Sequence, residues 1–172
     1  IQLEQIKNKN IFSLPKKTLI EILNSNNLIE SFLINKNYPS DLSIIVKKTS
    51  FLANVNINGE NFLIGSNRKL IKSELINPNL PIVLGSPTID DFFLIKDNIL
   101  KSSINFNDIK KLYFFTSRRW DLELRNGVLI KLPIDASFET LNSFFNVMNL
   151  SHFKNKDIFD LRVDNQIIVN EL

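Results

Sequence analysis

Residues 117–133 read SRRWDLELRNGVLIKLP, two strand-like runs separated by Asn126-Gly127 and preceded by two arginines and the chain's single tryptophan. A two-residue turn at Asn126-Gly127 would pair Leu124 with Leu129 and set Val128, Ile130 and Leu132 against Arg125, Glu123 and Asp121. A three-residue loop, Arg125 to Gly127, instead pairs Leu124 with Val128, Leu122 with Ile130 and Trp120 with Leu132. Side chains alternate along a strand, so one residue of register decides which set is buried. Only the longer loop gives one apolar face, and it predicts a type I turn with Gly127 left-handed as a bulge. Trp120 then belongs to a core.

Around this hairpin the chain reads as α+β. A helix is expected over residues 13–24, with Ser13 as N-cap, Pro15 early and Leu19, Ile20 and Leu23 on one face. Two β-branched runs follow, Phe32 to Tyr38 and Leu42 to Val46, broken at Pro39-Ser40-Asp41. From Phe51 the period is two, with a hairpin at Asn58-Gly59 between Val55-Ile57 and Phe62-Ile64. After a Pro- and Gly-containing connection, NPNLPIVLGSP, Thr88 and Asp91 form a capping box. The helix they open runs to about Lys101, with Ile89, Phe92, Phe93, Ile99 and Leu100 on one face. Leu112 to Phe115 is expected as a strand, and Phe138, Leu141, Phe144, Phe145 and Met148 as a second amphipathic helix, capped by Asp135 or Ser137. The end, FDLRVDNQIIVNEL, alternates through Phe159, Leu161 and Val163, turns or bulges near Asp164-Asn165, and finishes as a strand from about Gln166 to Glu171.

Composition removes several function classes. Of 172 residues 44% are hydrophobic, enough for a core, and 21 basic against 18 acidic side chains give only +3, too even to indicate a nucleic-acid or anionic partner from charge alone. Asn and Ile occur 24 times each and Lys outnumbers Arg 16 to 5, a codon bias that devalues single lysines and asparagines as signals. With no cysteine, disulfides, thiol chemistry and cysteine-held zinc are excluded. No apolar run approaches the roughly 18 residues of a transmembrane helix.

The chain also has no phosphate loop, His-x-x-x-His pair or Gly-x-Ser-x-Gly elbow. A hydrolase would have to use Asp90, Asp91 or His152. The adjacent aspartates suit an acidic first helical turn, and the lone histidine suits a helix end. Lys16-Lys17, Lys47-Lys48 and Lys110-Lys111 read as solvated pairs. Arg118 and Arg119 beside Trp120 could grip nucleic acid, but the period-two pattern buries the aromatic such a site needs. The last strand is different: an edge strand can accept a strand from a partner, and here charge protects it only through Glu171.

Four blocks in order, PSDLSIIVKKTSFLANV, LPIVLG, SRRWDLELRNGVLIKLP and FDLRVDNQIIV, resemble the periplasmic part of the bacterial cell-division family FtsQ, called DivIB in Gram-positive species. The resemblance implies a polypeptide-transport-associated (POTRA) domain over residues 1–49, with Ile1 to Lys7 as its first helix and its opening strand missing, then a mainly antiparallel β-domain with flanking helices over 50–172. It implies a single-pass inner-membrane anchor upstream, a periplasmic location at the division site, no catalysis and no cofactor or metal. The implied partners are the periplasmic segments of FtsB and FtsL and other divisome proteins, with no nucleic acid. The binding strand carried over is about Arg162 to Glu171, with Arg162, Val163, Asn165, Gln166, Ile167, Ile168, Val169 and Glu171 as contacts, and Arg118 or Arg119 facing an acidic stretch of the partner. Val163 and Glu171 stand where some members have tyrosine and tryptophan. The alternative reading is a POTRA-containing protein of outer-membrane assembly or secretion.

Overall fold

The computed structural model describes residues 10–148, 157–163 and 166–170, in two compact units. The smaller takes in Ile1–Leu52 and Leu63–Lys72, the larger Ala53–Phe62 and Ser73–Leu172. The first helix expected over Ile1 to Lys7 lies outside the described residues.

In the smaller unit a short 3-10 turn, Ile11–Ser13, leads into α1 (Lys16–Asn24), then β1 (Ile29–Asn37) and β2 (Asp41–Lys48) form an antiparallel hairpin. Ser13 does not cap α1. Asn10 caps the 3-10 turn through its side chain, and Pro15 occupies the N-cap of α1 without a side-chain bond. The proline ring fixes an extended entry that Ser13, two residues earlier, cannot serve. Leu14, Leu19, Leu23 and Ile34 form the core, with Phe32, Leu42 and Ile44 packed on it. The segment from Leu63 is tied in by polar contacts: Asn67 donates to the Asn27 and Ile29 carbonyls at 2.8 and 2.9 Å, and Ser66 donates to Glu30 at 2.9 Å.

The larger unit is a mixed sheet with strand order β11-β10-β9-β8-β7-β6-β3-β4. Its strands are β3 (Phe51–Ile57), β4 (Glu60–Gly65), β6 (Ile82–Leu84), β7 (Ile109–Phe114), β8 (Trp120–Leu124), β9 (Leu129–Lys131), β10 (Ile158–Asp160) and β11 (Ile168–Asn170). The outer ends of β3 and β4, with β5 (Leu70–Lys72), count with the smaller unit. The expected α+β class holds, but three pairings are parallel: β3 with β6, β6 with β7, and β9 with β10. The connection NPNLPIVLGSP is therefore not only a connection, because its Ile82–Leu84 is a strand inserted between β3 and β7. Asn54, on a strand whose asparagines alternate with apolar residues, is buried beside it. Its side chain donates to the Asn77 carbonyl at 2.8 Å and accepts from the Asn77 amide at 2.8 Å, bracing the approach to β6.

The hairpin at 117–133 has the three-residue loop. Leu122 faces Ile130, Leu124 donates to the Val128 carbonyl at 2.8 Å, Gly127 donates to the Leu124 carbonyl at 3.0 Å, and Gly127 is left-handed at φ 95°. Trp120, Leu122, Leu124, Ile130 and Leu132 are all buried. Against this face pack α2 (Ile89–Lys101) and α3 (Phe138–Met148), the latter through an edge-on contact of Phe144 with Phe159 of β10 at 5.0 Å. The capping box is present in full, Thr88 accepting from Asp91 N–H and Asp91 accepting from Thr88 N–H, each at 3.1 Å. Two details differ on α2 and α3. Ile95 takes the buried position expected of Leu100, which is exposed, because the face set by Phe92 repeats at three and seven residues rather than eight. Phe138 begins α3 37% exposed, while Ser137 supplies the cap, accepting from Thr140 N–H at 3.3 Å.

Candidate partner-binding edge

β10 and β11 close one end of the sheet. The pairing is Ile158 with Asn170, Phe159 with Val169 and Asp160 with Ile168, and among the described residues β11 has no second neighbour. Which of its peptide groups are free follows from the ladder on the other side of β10. Leu129 donates to the Asp157 carbonyl at 2.7 Å and Leu161 donates to the Lys131 carbonyl at 2.9 Å, so odd-numbered peptide groups of β10 face β9. Those of Ile158 and Asp160 then face β11, which makes Ile168 and Asn170 the hydrogen-bonded partners. Asp157, just before β10, departs from the alternation: its carbonyl faces β9, while its N–H reaches the Asn170 carbonyl at 3.3 Å. The same alternation turns the peptide group of Val169 toward the open edge, and continued past the start of β11 it would turn Ile167 the same way.

Side chains alternate in the other sense. Val169 lies opposite Phe159, on the helix-covered face, and Ile168 opposite Asp160 on the other, where it is 43% exposed. Between the edge and α3 runs a groove of about 540 Å³, lined by Glu139, Thr140 and Ser143 of α3 and by Val163, Gln166 and Ile167. Two further grooves are elsewhere in this unit: about 330 Å³ between Leu94, Ile95, Trp120 and Ile134, and about 410 Å³ between Ile104, Leu124, Phe144 and Met148.

Of the strand expected over Arg162 to Glu171, the described residues pair as a strand only at Ile168–Asn170. Arg162 and Val163 precede it, outside any strand, because Arg162 is bent back onto Asp160: its Nε donates to Oδ1 at 2.7 Å and its Nη2 binds Oδ2. Asn165 and Glu171 lie outside the described residues. Asp160 is held below the usual carboxylate range, first by that Arg162 bond, against the opposing effect of burial.

The two arginines before Trp120 separate. Arg118 is left-handed at φ 63°, and its Nη2 reaches Asp91 Oδ1 on α2 at 2.5 Å. Asp91 is held low first by Thr88 and then, against burial, by Arg118. Arg119 turns the other way, with Nε 3.3 Å from Asp121 Oδ1 and its guanidinium over the Phe115 ring at 4.4 Å. Burial pushes the Asp121 carboxyl up, against the pull of Arg119 and, more weakly, of Arg162. Arg119 and Arg162, from distant blocks of sequence, thus meet in one charged cluster across β8, β9 and β10, with Lys131 in register with both Asp121 and Asp160. Sequence reasoning missed Asp121, Lys131 and Asp160 as members of that cluster. The signal was their position on the polar side of each alternating run. Asp90 is exposed while Asp91 serves the helix cap, His152 lies outside the described residues, and no group of three metal-ligating side chains occurs among the described residues.

These features define an α+β domain whose mixed sheet carries helices on one face and, among the described residues, ends on a strand paired on one side only. Residues 53–162 match the family model described as cell division protein FtsQ/DivIB, C-terminal, and the chain belongs to the FtsQ/DivIB family of cell-division proteins. Among solved structures it is similar to the major extracytoplasmic domain of the trans isomer of the bacterial cell division protein DivIB from Geobacillus stearothermophilus. That match has 13% identity and a TM-score of 0.44, over 59% of this chain and 92% of that one. No curated protein matches the chain.

Proposed function

We propose that this chain is the extracytoplasmic part of a non-enzymatic divisome scaffold that binds the periplasmic segments of FtsB and FtsL by strand addition at β11. Family membership supports the cell-division role, and the observation that carries the mechanism is the unpaired outer side of β11 beside the α3 groove. An extended partner segment would take its hydrogen bonds from the outward peptide groups of Val169 and Ile167. Its alternate side chains would enter the groove lined by Val163, Gln166 and Ile167, which matches how edge recognition divides affinity from specificity. Arg118, Arg119 and Arg162 would serve as the basic rim facing an acidic stretch, and their existing carboxylate partners make that a rate-and-orientation contribution rather than an anchor. In this reading residues 1–49 form the POTRA-like domain, 50–172 the β-domain, and a single inner-membrane helix upstream holds both in the periplasm.

The test is a pair of prolines. Val169→Pro removes an outward donor and leaves the β10 ladder intact, so FtsB-segment affinity should fall about fivefold or more, near the ~1 kcal/mol of one net hydrogen bond. Ile168→Pro removes an inward donor and should lower stability. Unchanged affinity in a folded Val169→Pro protein, repeated with Ile167→Pro, would sink strand addition.

A further inference from the structure

The two units differ in charge. By sequence the smaller carries ten Lys and Arg against four Asp and Glu, a net of +6, and the larger eleven against fourteen, a net of −3. Codon bias toward lysine acts on both alike and does not remove carboxylates from one. A near-neutral chain thus hides a basic module, and uneven charge of this kind is the footprint of an anionic partner.

A second observation is apolar. Phe12 and Tyr38 are 67% and 60% exposed, and their rings stack at 4.9 Å. The 3-10 turn sends Ile11 and Leu14 inward and Phe12 out, while Tyr38 follows the last residue of β1. Lys36 on β1 donates Nζ to the Ile11 carbonyl at 3.2 Å and to the Leu14 carbonyl, pinning the turn to the hairpin. The pair is therefore held on a fixed frame while adding little to the core. Four and five residues after Phe12 come Lys16 and Lys17, both exposed, in a first helical turn with no acidic residue. Cations there oppose the helix dipole, so the fold does not account for them.

We infer that the smaller unit docks on an anionic lipid bilayer, with Phe12 and Tyr38 at headgroup level and Lys16 and Lys17 against the phosphates. Tyr38, an aromatic ring with a polar tip, favours that interface, Phe12 adds an exposed apolar ring beside it, and each lysine near an anionic surface adds its own attraction. The grooves described above are all lined by larger-unit residues, and two exposed rings stacked on each other suit a planar, fluid acceptor better than a shaped peptide. The inference is independent of strand addition at β11.

The test is co-sedimentation of the whole chain with phosphatidylcholine vesicles, with and without phosphatidylglycerol. Retention is expected only with phosphatidylglycerol and should fall as salt rises. Lys16→Gln and Lys17→Gln should each weaken it about fivefold, the fold-change of about 1 kcal/mol per lysine at such a surface. Phe12→Ser with Tyr38→Ser should weaken it at constant charge, whereas Lys101→Glu, an exposed reversal in the larger unit, should leave it unchanged. Circular dichroism confirms the fold of each variant. Equal retention by neutral vesicles, no retention by anionic ones at low salt, or equal loss with Lys101→Glu overturns the proposal. So does binding of a glutamate-rich peptide by the same lysines without vesicle binding, which would give the surface to an acidic segment instead.

Discussion

Replacing Glu123 with glutamine should unmask how much of the larger unit's stability rests on one carboxylate. An extra residue at Lys110 shifts the β7–β8 register between Ile109 and Lys111, so both lysines reach Glu123. Lys110 Nζ lies 2.7 Å and Lys111 Nζ 3.2 Å from the carboxylate, and the Tyr113 hydroxyl donates to it at 2.6 Å. Lys110, then Tyr113, outweigh burial and hold the Glu123 pKa at about 2 against an ordinary 4.5. At about 1.36 kcal/mol per pH unit the ceiling is about 3.4 kcal/mol. Lys110 is half exposed and solvent screens that arm, so about 2 kcal/mol is the expected contribution. The folded pKa is depressed, so this stability is fully present above pH 4.5 and is lost as pH falls toward 2. Urea denaturation of the native chain and Glu123→Gln at pH 7 should differ by about 2 kcal/mol, and at pH 3 by about half that or less. The comparison cancels the other titrating carboxylates, which both proteins share. A deficit equal at the two pH values would refute the ionic account and leave only lost packing.

Arg118 and Gly127 occupy the same left-handed slot in successive hairpins: Phe115 accepts from Arg118 N–H at 2.8 Å as Leu124 accepts from Gly127 N–H at 3.0 Å. Arg118→Gly should relieve about 1 kcal/mol of backbone strain and lose a surface-exposed ion pair worth at most as much, so the variant should be neutral or slightly stabilised. Arg118→Ala keeps the strain and should be less stable than Arg118→Gly by about 1 kcal/mol in urea melts; equal stability would remove the strain argument. Gly85→Ala should cost at least about 2 kcal/mol, because a Cβ there would sit 2.2 Å from the Phe114 carbonyl oxygen. Gly127→Ala, at nearly the same φ but with open space around it, should cost only about 1 kcal/mol.

What could be read in advance was local and patterned. The Thr88 capping box, the Asn58-Gly59 turn and the burial of Trp120 each follow from a short run of neighbouring residues. β6 escaped because three residues between Pro81 and Gly85 cannot display a period, and its two parallel partners, β3 and β7, are distant in sequence. Lys110-Lys111 read as solvated for a similar reason: their carboxylate lies across a hairpin whose bulge the sequence does not announce. Arg118 looked like a free basic residue, and only the tertiary approach of α2 supplies Asp91. At the candidate site the edge itself was legible, since a final strand in a sheet often has one neighbour. That Arg162 stays out of it was not, because Arg162 binds Asp160 two residues back instead of continuing the alternation.

Register links the hairpin at 117–133 to the proposed binding edge. The three-residue loop sets Leu122 against Ile130, and β9 then meets β10 with Ile130 beside Phe159, which fixes Val169 opposite Phe159 on β11. A slip of one residue at any of these pairings would exchange the inward and outward roles of Ile168 and Val169 and reverse the faces of their side chains. Side chains would oppose a slip at β8–β9 or β9–β10 strongly: it would turn Phe159, and in the first case also Ile130, both fully buried, out of the core. The partner-facing groups of β11 therefore inherit their orientation from apolar packing two and three strands away. That is why Val169→Pro and Ile168→Pro should separate so cleanly: the first should act on binding and the second on stability.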